Sequence, residues 1–180
     1  MEFATSDAHE GLACALESTF PGVIWQRCQA HFMRNVLDAT PEQLRDEVHE
    51  HLIRILRAAT PEKARAAFEE AQALLDGQAD KALAKLEAGF EDATAVLVLP
   101  AKYRRRLRTT NMLERFNEEI RRRERVIRIF PNVTAAWRLI GALSCEQHEA
   151  WSTGRVYLNM EAFFAWKAAL EKPEAARRAA

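Results

Sequence analysis

The stretch EFATSDAHEGLACALESTFPGVIWQRC, residues 2–28, decides the fold of the first part of the chain. A short run that favours a strand ends at Asp7, and apolar residues then recur at helical spacing from Leu12 to Phe20. The segment GVIWQRC that follows the Pro-Gly turn is β-branched and aromatic, which is typical of a short buried strand. Strand, helix and strand within about 28 residues predict a parallel βαβ unit.

Helices dominate the remainder of the sequence. TPEQ at Thr40 and TPEK at Thr60 both predict a helix start, with threonine as the cap and proline at the first helical position. Gly77 is expected to end the second of these helices. A third is expected to break at Gly89 and to end at Pro100. The predicted class is therefore α+β and predominantly α-helical.

Composition limits the classes of protein that fit. The chain has 180 residues, of which 48% are hydrophobic, enough for a sizeable core in one domain. Its three cysteines are odd in number and widely spaced, which favours a reducing compartment over a disulfide framework. No window approaches 18 apolar residues and no secretory leader is recognisable, so the sequence predicts a cytoplasmic protein that does not enter a membrane. Cys14 is expected to lie in the core.

Positive charge is concentrated in one region. The formal net charge of the chain is zero, yet the range 102–128 holds eleven Lys or Arg against four Glu, a local charge of +7. Such a basic surface suits DNA phosphates, although a solvated helix face is the alternative. The candidate DNA-binding residues are Arg104, Arg105, Arg106, Arg108, Arg115, Arg121, Arg122, Arg123, Arg125 and Arg128.

Two acidic residues are candidate metal ligands, each with an ordinary alternative. Glu114 falls three residues after Asn111, so the pair could be a helix capping box. Asn111, Glu114 and Asn117 also share one polar flank within a field of arginines, where a carboxylate keeps its charge, as a Mg²⁺ ligand must. Asp7 could cap the following helix, or bind a ligand at the carboxyl end of a strand. Both interpretations stay open from the residues alone.

The spacing Cys-x2-His occurs twice, at Cys28 and His31 and at Cys145 and His148. Four such ligands could form a structural zinc site. Both pairs lie in helical, apolar-periodic segments, where a buried cysteine and a surface histidine are ordinary, and this interpretation is preferred. The other histidines, His9, His49 and His51, are expected at the surface.

Three motifs in this order and spacing, SDAHEGL, WQRCQAHFMRN and TTNMLERFNEEIRRRERVIRIFPN, resemble those of the Mutator-type transposases of bacterial insertion sequences. The resemblance covers roughly residues 5–158. It implies an RNase H-like core with a DDE triad that binds Mg²⁺ or Mn²⁺. It places the second aspartate of the triad at Asp7 and the glutamate at Glu114. The Cys-x2-His motif of the family falls on Cys28 and His31, whose role is uncertain, as is that of Asn111 and Asn117.

The resemblance also implies a division of the chain into four parts. Residues 1–40 would form a partial RNase H-like core of βαβα order, and 41–100 a helical insertion. Residues 101–158 would add the remaining core helices, including the basic one, and 159–180 a C-terminal helix and tail. The first aspartate of the family's triad lies upstream of the SDAHEGL motif, so we expect a C-terminal part of a transposase that is inactive alone.

The implied function is DNA transposition, by metal-dependent cleavage and transfer of strands at transposon ends in a complete protein. DNA, as transposon ends and target, is the expected partner, and the sequence leaves open whether the protein forms a homo-oligomer. A non-catalytic, helical nucleic-acid-binding module is the alternative function. It would keep the arginines and dispense with the metal.

Overall fold

The computed structural model describes residues 1–154 and 159–178. Residues 155–158, which the sequence assigns to the end of the catalytic-core helices, and 179–180, the end of the tail, lie outside the described residues. The described chain forms two compact units, Met1–Thr110 and Asn111–Ala180. The division into four parts inferred from the sequence stays a prediction.

The first unit begins with the βαβ arrangement that the sequence predicts. Strand β1 covers Phe3–Ser6, helix α1 Glu10–Thr19 and strand β2 Ile24–Arg27. The strands pair in parallel, with Phe3 opposite Ile24. A Pro-Gly turn at Gly22, whose φ is +81°, leads into β2. The predicted parallel βαβ unit is confirmed.

Helices make up most of the remaining described chain, so the α+β, mainly helical class is confirmed. In the first unit they are α2 Gln29–Leu37, a 3₁₀ turn Glu42–Leu44, α3 Arg45–Leu56, α4 Pro61–Leu75, α5 Asp80–Thr94, a second 3₁₀ turn Ala95–Val98, and α6 Ala101–Leu107. The second unit contains α7 Asn111–Ile127, α8 Val133–Thr153 and α9 Glu161–Arg178. None of the described helices has the length and apolar content that crossing a bilayer requires.

The core of the first unit lies between α2, α3, α4 and α5. Its largest fully buried side chains include Phe32, Leu52, Ile55 and Leu86. On α3 the buried residues Val48, Leu52 and Ile55 recur at helical spacing, which gives this helix one apolar side. The packed helices support the short sheet, which has too few strands to be stable by itself.

The two TPE motifs behave differently. Thr60 caps α4, because its Oγ1 accepts a hydrogen bond from the Lys63 amide at 3.3 Å. Thr40 is buried, and its Oγ1 donates to the Val36 carbonyl at 2.9 Å, which closes α2 and begins no new helix. Pro41 is extended, with ψ 140°, and α3 starts only at Arg45. The predicted cap at Thr40 is therefore wrong.

Gly89 does not break its helix, and that prediction is also wrong. Helix α5 runs from Asp80 to Thr94 through Gly89, which is buried. A Cβ at this position would lie 2.5 Å from Cε2 of Phe32 and 2.7 Å from Nη1 of Arg27. The glycine therefore allows α5 to approach α2 and β2 closely. Gly77, with φ +70°, follows α4 in the left-handed conformation expected at a helix end.

Two further predictions about burial are wrong. Cys14 is exposed, because the apolar side of α1 faces an open groove of about 480 Å³ between α1 and β2 that Phe20 and Trp25 also line. Helix α1 has no buried residue. His51 was expected at the surface but is buried on α3, next to Leu52.

Candidate functional site

The carboxyl ends of β1 and β2 lie side by side, as the parallel pairing requires. The Cys28 amide donates to the Ser6 carbonyl at 2.7 Å, one step beyond the last paired residues of the strands. Asp7 follows Ser6 directly and is exposed. Asp7 therefore stands at the edge of the sheet where open α/β folds place their ligands.

The Asp7 carboxylate does not cap a helix. The residue at the cap of α1 is His9, and no side chain there bonds to the helix amides. The Ser6 hydroxyl donates to the main-chain carbonyl of Asp7 at 2.8 Å and accepts from Nε1 of Trp25, also at 2.8 Å. Within the described part of the chain, no donor or cation is bonded to the Asp7 carboxylate. The interpretation of Asp7 as the cap of the following helix is therefore wrong.

The segment 107–110 returns to this same edge of the sheet. The Thr5 hydroxyl on β1 donates to the Leu107 carbonyl, and the Gln29 amide at the start of α2 donates to the Arg108 carbonyl at 2.9 Å. The first bond joins residues 102 positions apart in the chain, and the second joins residues 29 and 108. They hold the end of α6 against β1 and the start of α2.

Cys28 makes the last of these links. Its sulfur is fully buried and accepts from the hydroxyl of Thr110 at 3.3 Å and from the Thr110 amide at 3.5 Å. A thiol is a weak acceptor, but two donors from one residue give the contact a defined geometry. His31 lies one turn further along α2 and is half-buried. Cys145 is exposed on α8, and Nε2 of His148 lies 3.5 Å from the Ser152 hydroxyl.

Two buried glutamines near the site were not identified from the sequence. Nε2 of Gln26 donates to the Ala93 carbonyl at 2.8 Å, and its Oε1 accepts from the Val96 amide at 2.6 Å. Nε2 of Gln29 bonds to the same Ala93 carbonyl at 2.9 Å. Both amides therefore attach β2 and α2 to the end of α5. The only feature of the sequence that could have indicated these buried glutamines is their position among apolar residues in VIWQRCQ.

Glu114 belongs to the first turn of α7 in the second unit and is half-buried. Asn111 is the first residue of that helix, and Asn117 is exposed on it. Helix α7 contains no fully buried residue, and even its apolar residue Leu113 is 58% exposed. The helix thus carries its charged groups at a largely accessible surface.

The arginines of α6 differ in what they bond to. Nε and Nη1 of Arg104 each donate at 2.7 Å, to the carbonyls of Leu99 and Ala59. Arg104 therefore joins two loops of the first unit. Burial lowers the pKa of the half-buried Arg108, and the nearby positive charges of Arg57 and Arg105 lower it further. A phosphate would relieve that repulsion.

The arginines of α7 also divide into two groups. Glu119 accepts from both Arg122 and Arg123, at 2.7 and 2.8 Å, and these hydrogen bonds lower the pKa of the Glu119 carboxyl to about 2. Arg121 and Arg125 instead line an open cleft of about 530 Å³ together with Glu124 and Arg128. The positive charge of α7 is therefore partly neutralised on the side of Glu119, whereas Arg121, Arg125 and Arg128 face the open cleft.

Comparison with known proteins identifies the same family as the three sequence motifs. Residues 1–154 match the family model described as "Transposase, Mutator family". The transposase for insertion sequence element IS256 in transposon Tn4001 of Staphylococcus aureus is 40% identical over 166 residues, which cover 89% of this chain and 42% of that protein. The transposase for IS1081 of Mycobacterium tuberculosis is 37% identical over 173 residues, covering 94% and 41%.

A third relative, the transposase for insertion sequence element ISRM5 of Rhizobium meliloti, is 36% identical over 161 residues, which cover 89% of this chain and 40% of that protein. The chain thus spans about two fifths of the length of the curated relatives it matches. The match of the family model extends over both strands, α1 to α8 and the three motifs. The chain belongs to the Mutator family of transposases.

Proposed function

We propose that this chain is the part of a DDE transposase that holds the second and third acidic residues of the catalytic triad, Asp7 and Glu114. The reaction is metal-dependent cleavage of DNA at transposon ends, followed by transfer of the freed strand to target DNA in the cytoplasm. The observation that carries the proposal is the return of segment 107–110 to the carboxyl edge of the sheet, beside Asp7 and just before Glu114.

The proposal requires the two acids to lie near each other, and the connectivity of the chain is compatible with this. Thr110 is bonded to Cys28, the residue after β2, while Asp7 is the residue after β1. Glu114 follows Thr110 by four residues, which is about one helical turn or 6 Å along a helix axis. We therefore expect the two carboxyl carbons to lie within about 10 Å, as carboxylates that share a pair of metal ions about 4 Å apart require.

The donor set fits a hard divalent cation. Carboxylate oxygens are the ligands that Mg²⁺ and Mn²⁺ prefer, and the Asp7 carboxylate has no other partner among the described residues. When bound, such ions supply Lewis-acid stabilisation of the phosphoryl group and lower the pKa of water. Asp7 and Glu114 would hold them, and some of the arginines of α6 and α7 would bind the phosphates on either side of the reacting bond.

The fold supports the RNase H-like assignment in part. Two parallel strands with a catalytic acid after the first, and a helical segment between them and α7, have the order that the family resemblance implies. In this proposal α3, α4 and α5 are the insertion. The buried amides of Gln26 and Gln29 attach the end of α5 to the core.

Paramagnetic broadening tests the shared site directly, and it detects weak binding. Traces of Mn²⁺ are expected to broaden the amide NMR signals of both Asp7 and Glu114. Asp7→Asn or Glu114→Gln alone should reduce the broadening at both positions, because each supplies a ligand to the same ions. Glu118→Gln, on the same helix, is the matched control and should change nothing. Broadening at one acid but not the other would refute the shared site.

The second candidate function, a non-catalytic nucleic-acid-binding module, rests on the arginine-rich surface of α7. It expects DNA binding that Mg²⁺ does not alter and that Glu114→Gln leaves unchanged. The transposase proposal expects added Mg²⁺ to strengthen binding to transposon-end DNA in the wild type and not in Glu114→Gln. A gel-shift titration with and without the metal separates the two.

A further inference from the structure

We propose that Arg121, Arg125 and Arg128 form the phosphate-binding face of α7, and that Arg122 and Arg123 stabilise the helix instead of binding DNA. The inference rests on the proposed function, since it concerns the DNA strand that Glu114 would act on. In this proposal, only one face of the basic helix α7 contacts the DNA backbone, and the other face does not.

Helix geometry places the three arginines with Glu114. Successive residues of an α-helix differ by about 100° in direction, so Glu114, Arg121 and Arg125 fall within an arc of about 40°. Arg128 is the first residue after α7 and has a φ of +61°. Together with Glu124 these arginines line the open cleft of about 530 Å³. The face that carries Glu114 therefore continues as a positively charged groove.

The opposite face of α7 is occupied by its own acid and by α8. Glu119 lies about 140° around the helix from the middle of the arginine face. It is bonded to Arg122 and Arg123 and lines a second cleft, of about 140 Å³, with Glu146 of α8. The two carboxylates offset the positive charge there, and they would repel a phosphate.

The three arginines of the groove are available for a ligand. Considering only the residues that the structure describes, no carboxylate lies within ion-pair distance of Arg121, Arg125 or Arg128, and all three are exposed. Glu124 in the groove lowers its net charge without forming an ion pair with them. A guanidinium binds a phosphate through two parallel N–H···O bonds, so each of these three arginines can bind one phosphodiester.

The spacing suits a DNA strand that leads away from the reacting bond. Arg121 lies about 10 Å and Arg128 about 20 Å from Glu114 along the helix axis. Phosphates of one strand of a duplex advance by about 3.4 Å each along the duplex axis. The groove would therefore contact the backbone about three to six nucleotides from the bond that is cut.

Two matched triple variants of the 180-residue chain test the division. One changes Arg121, Arg125 and Arg128 to glutamine, and the other changes Arg115, Arg122 and Arg123 to glutamine, so that each removes three charges from α7. Affinity for a short DNA duplex of arbitrary sequence is measured by fluorescence anisotropy between about 50 and 200 mM salt. The slope of log affinity against log salt should fall by about 2 to 3 for the first triple and by less than about 1 for the second.

The possible outcomes are distinct. Equal losses in the two triples, a larger loss in the second, or no loss in either would overturn the inference while leaving DNA binding intact. Wild-type binding that does not weaken with salt would instead overturn the DNA-binding part of the proposed function. Should circular dichroism show that a triple is unfolded, the single variants Arg125→Gln and Arg122→Gln give the same comparison, with an expected fall of about 1 only in the first.

Discussion

The hydroxyl of Thr110 donates to the sulfur of Cys28 at 3.3 Å, across 82 positions of sequence. Cys28 is the residue after β2, and Thr110 is the residue before α7. The contact therefore holds Thr110, the last residue of the first unit, at the carboxyl edge of the sheet. The Cys28 sulfur accepts from both the hydroxyl and the amide of Thr110, and these two hydrogen bonds fix the end of segment 107–110 within the first unit.

Removal of this contact should destabilise the first unit. We expect a double-mutant cycle of Cys28→Ala and Thr110→Val to give a coupling energy of about 0.5–1 kcal/mol, because each single change removes the hydrogen bond from the hydroxyl to the sulfur. Urea unfolding of the 180-residue chain measures it. Thr110→Ser keeps the hydroxyl and serves as the control. Additive effects of the two changes would show that the contact contributes nothing.

Gly89→Ala should destabilise the protein by about 1–3 kcal/mol, because the added methyl group would overlap the Phe32 ring and the Arg27 guanidinium. Gly141→Ala is the matched control in the middle of α8, where the new Cβ would meet no atom of the described residues within 4 Å apart from its chain neighbours and the backbone of its own helix. It should stabilise by about 0.5–1 kcal/mol through helix propensity. Thermal denaturation should show a lower melting temperature than the wild type for Gly89→Ala and a higher one for Gly141→Ala.

Arg104→Ala should reduce stability and leave DNA binding almost unchanged. The variant loses hydrogen bonds to the carbonyls of Leu99 and Ala59, at a cost of about 1–2 kcal/mol. Arg105→Ala, at an exposed neighbour, should change stability by less than about 0.5 kcal/mol. The two variants are compared by urea unfolding and by the salt dependence of DNA binding. A reduced salt slope in Arg104→Ala would assign this residue to phosphate binding.

The ion pairs of Glu119 should depend on pH in a defined window. The folded pKa of about 2 lies below the ordinary value of 4.5, so the contribution of the pairs is fully present above pH 4.5. It is lost as the pH falls toward 2. An NMR titration of the Glu119 carboxyl should show this midpoint, and Arg122→Gln with Arg123→Gln should raise it toward 4.5. High salt should do the same in part, since the pairs are exposed.

The 180-residue chain by itself should neither nick nor join transposon-end DNA with Mg²⁺ or Mn²⁺. Asp7 and Glu114 supply two of the three carboxylates of the proposed triad, and Mg²⁺ gives up its waters reluctantly for a sparse site. A labelled-duplex cleavage assay tests this. Metal-dependent nicking that Glu114→Gln abolishes would show that the two acids suffice. Nicking that persists in this variant would indicate a contaminating nuclease.

Local patterns were sufficient for several features. The alternation of strand and helix signals within residues 2–28 predicts the parallel βαβ unit, because chain length and handed crossovers leave few other arrangements. The cap at Thr60 and the glycine after α4 depend only on neighbouring residues, and both were confirmed. The three motifs, taken in their order and spacing, identified the family, and residues 1–154 match its model.

Other features depended on which distant residues meet. The same TPE motif caps a helix at Thr60 and closes the preceding one at Thr40, because Thr40 is buried against Val36. Gly89 looks like a helix breaker in sequence, yet it lies within α5, where the absence of a side chain leaves room for Phe32 and Arg27 to pack against the helix. Whether an arginine of α7 is held by Glu119 or lines the open cleft is decided by its side of the helix and by α8.

The sequence by itself determined the family, the order of strands and helices, and the choice of Asp7, Glu114 and the arginines as candidates. Only the tertiary structure decided that Asp7 caps no helix, that Arg104 bonds to main-chain carbonyls, and that Cys28 accepts from Thr110. The physical reason is that helix and strand signals act over a few residues. Hydrogen-bond partners and burial depend instead on contacts between segments that packing brings together across most of the chain.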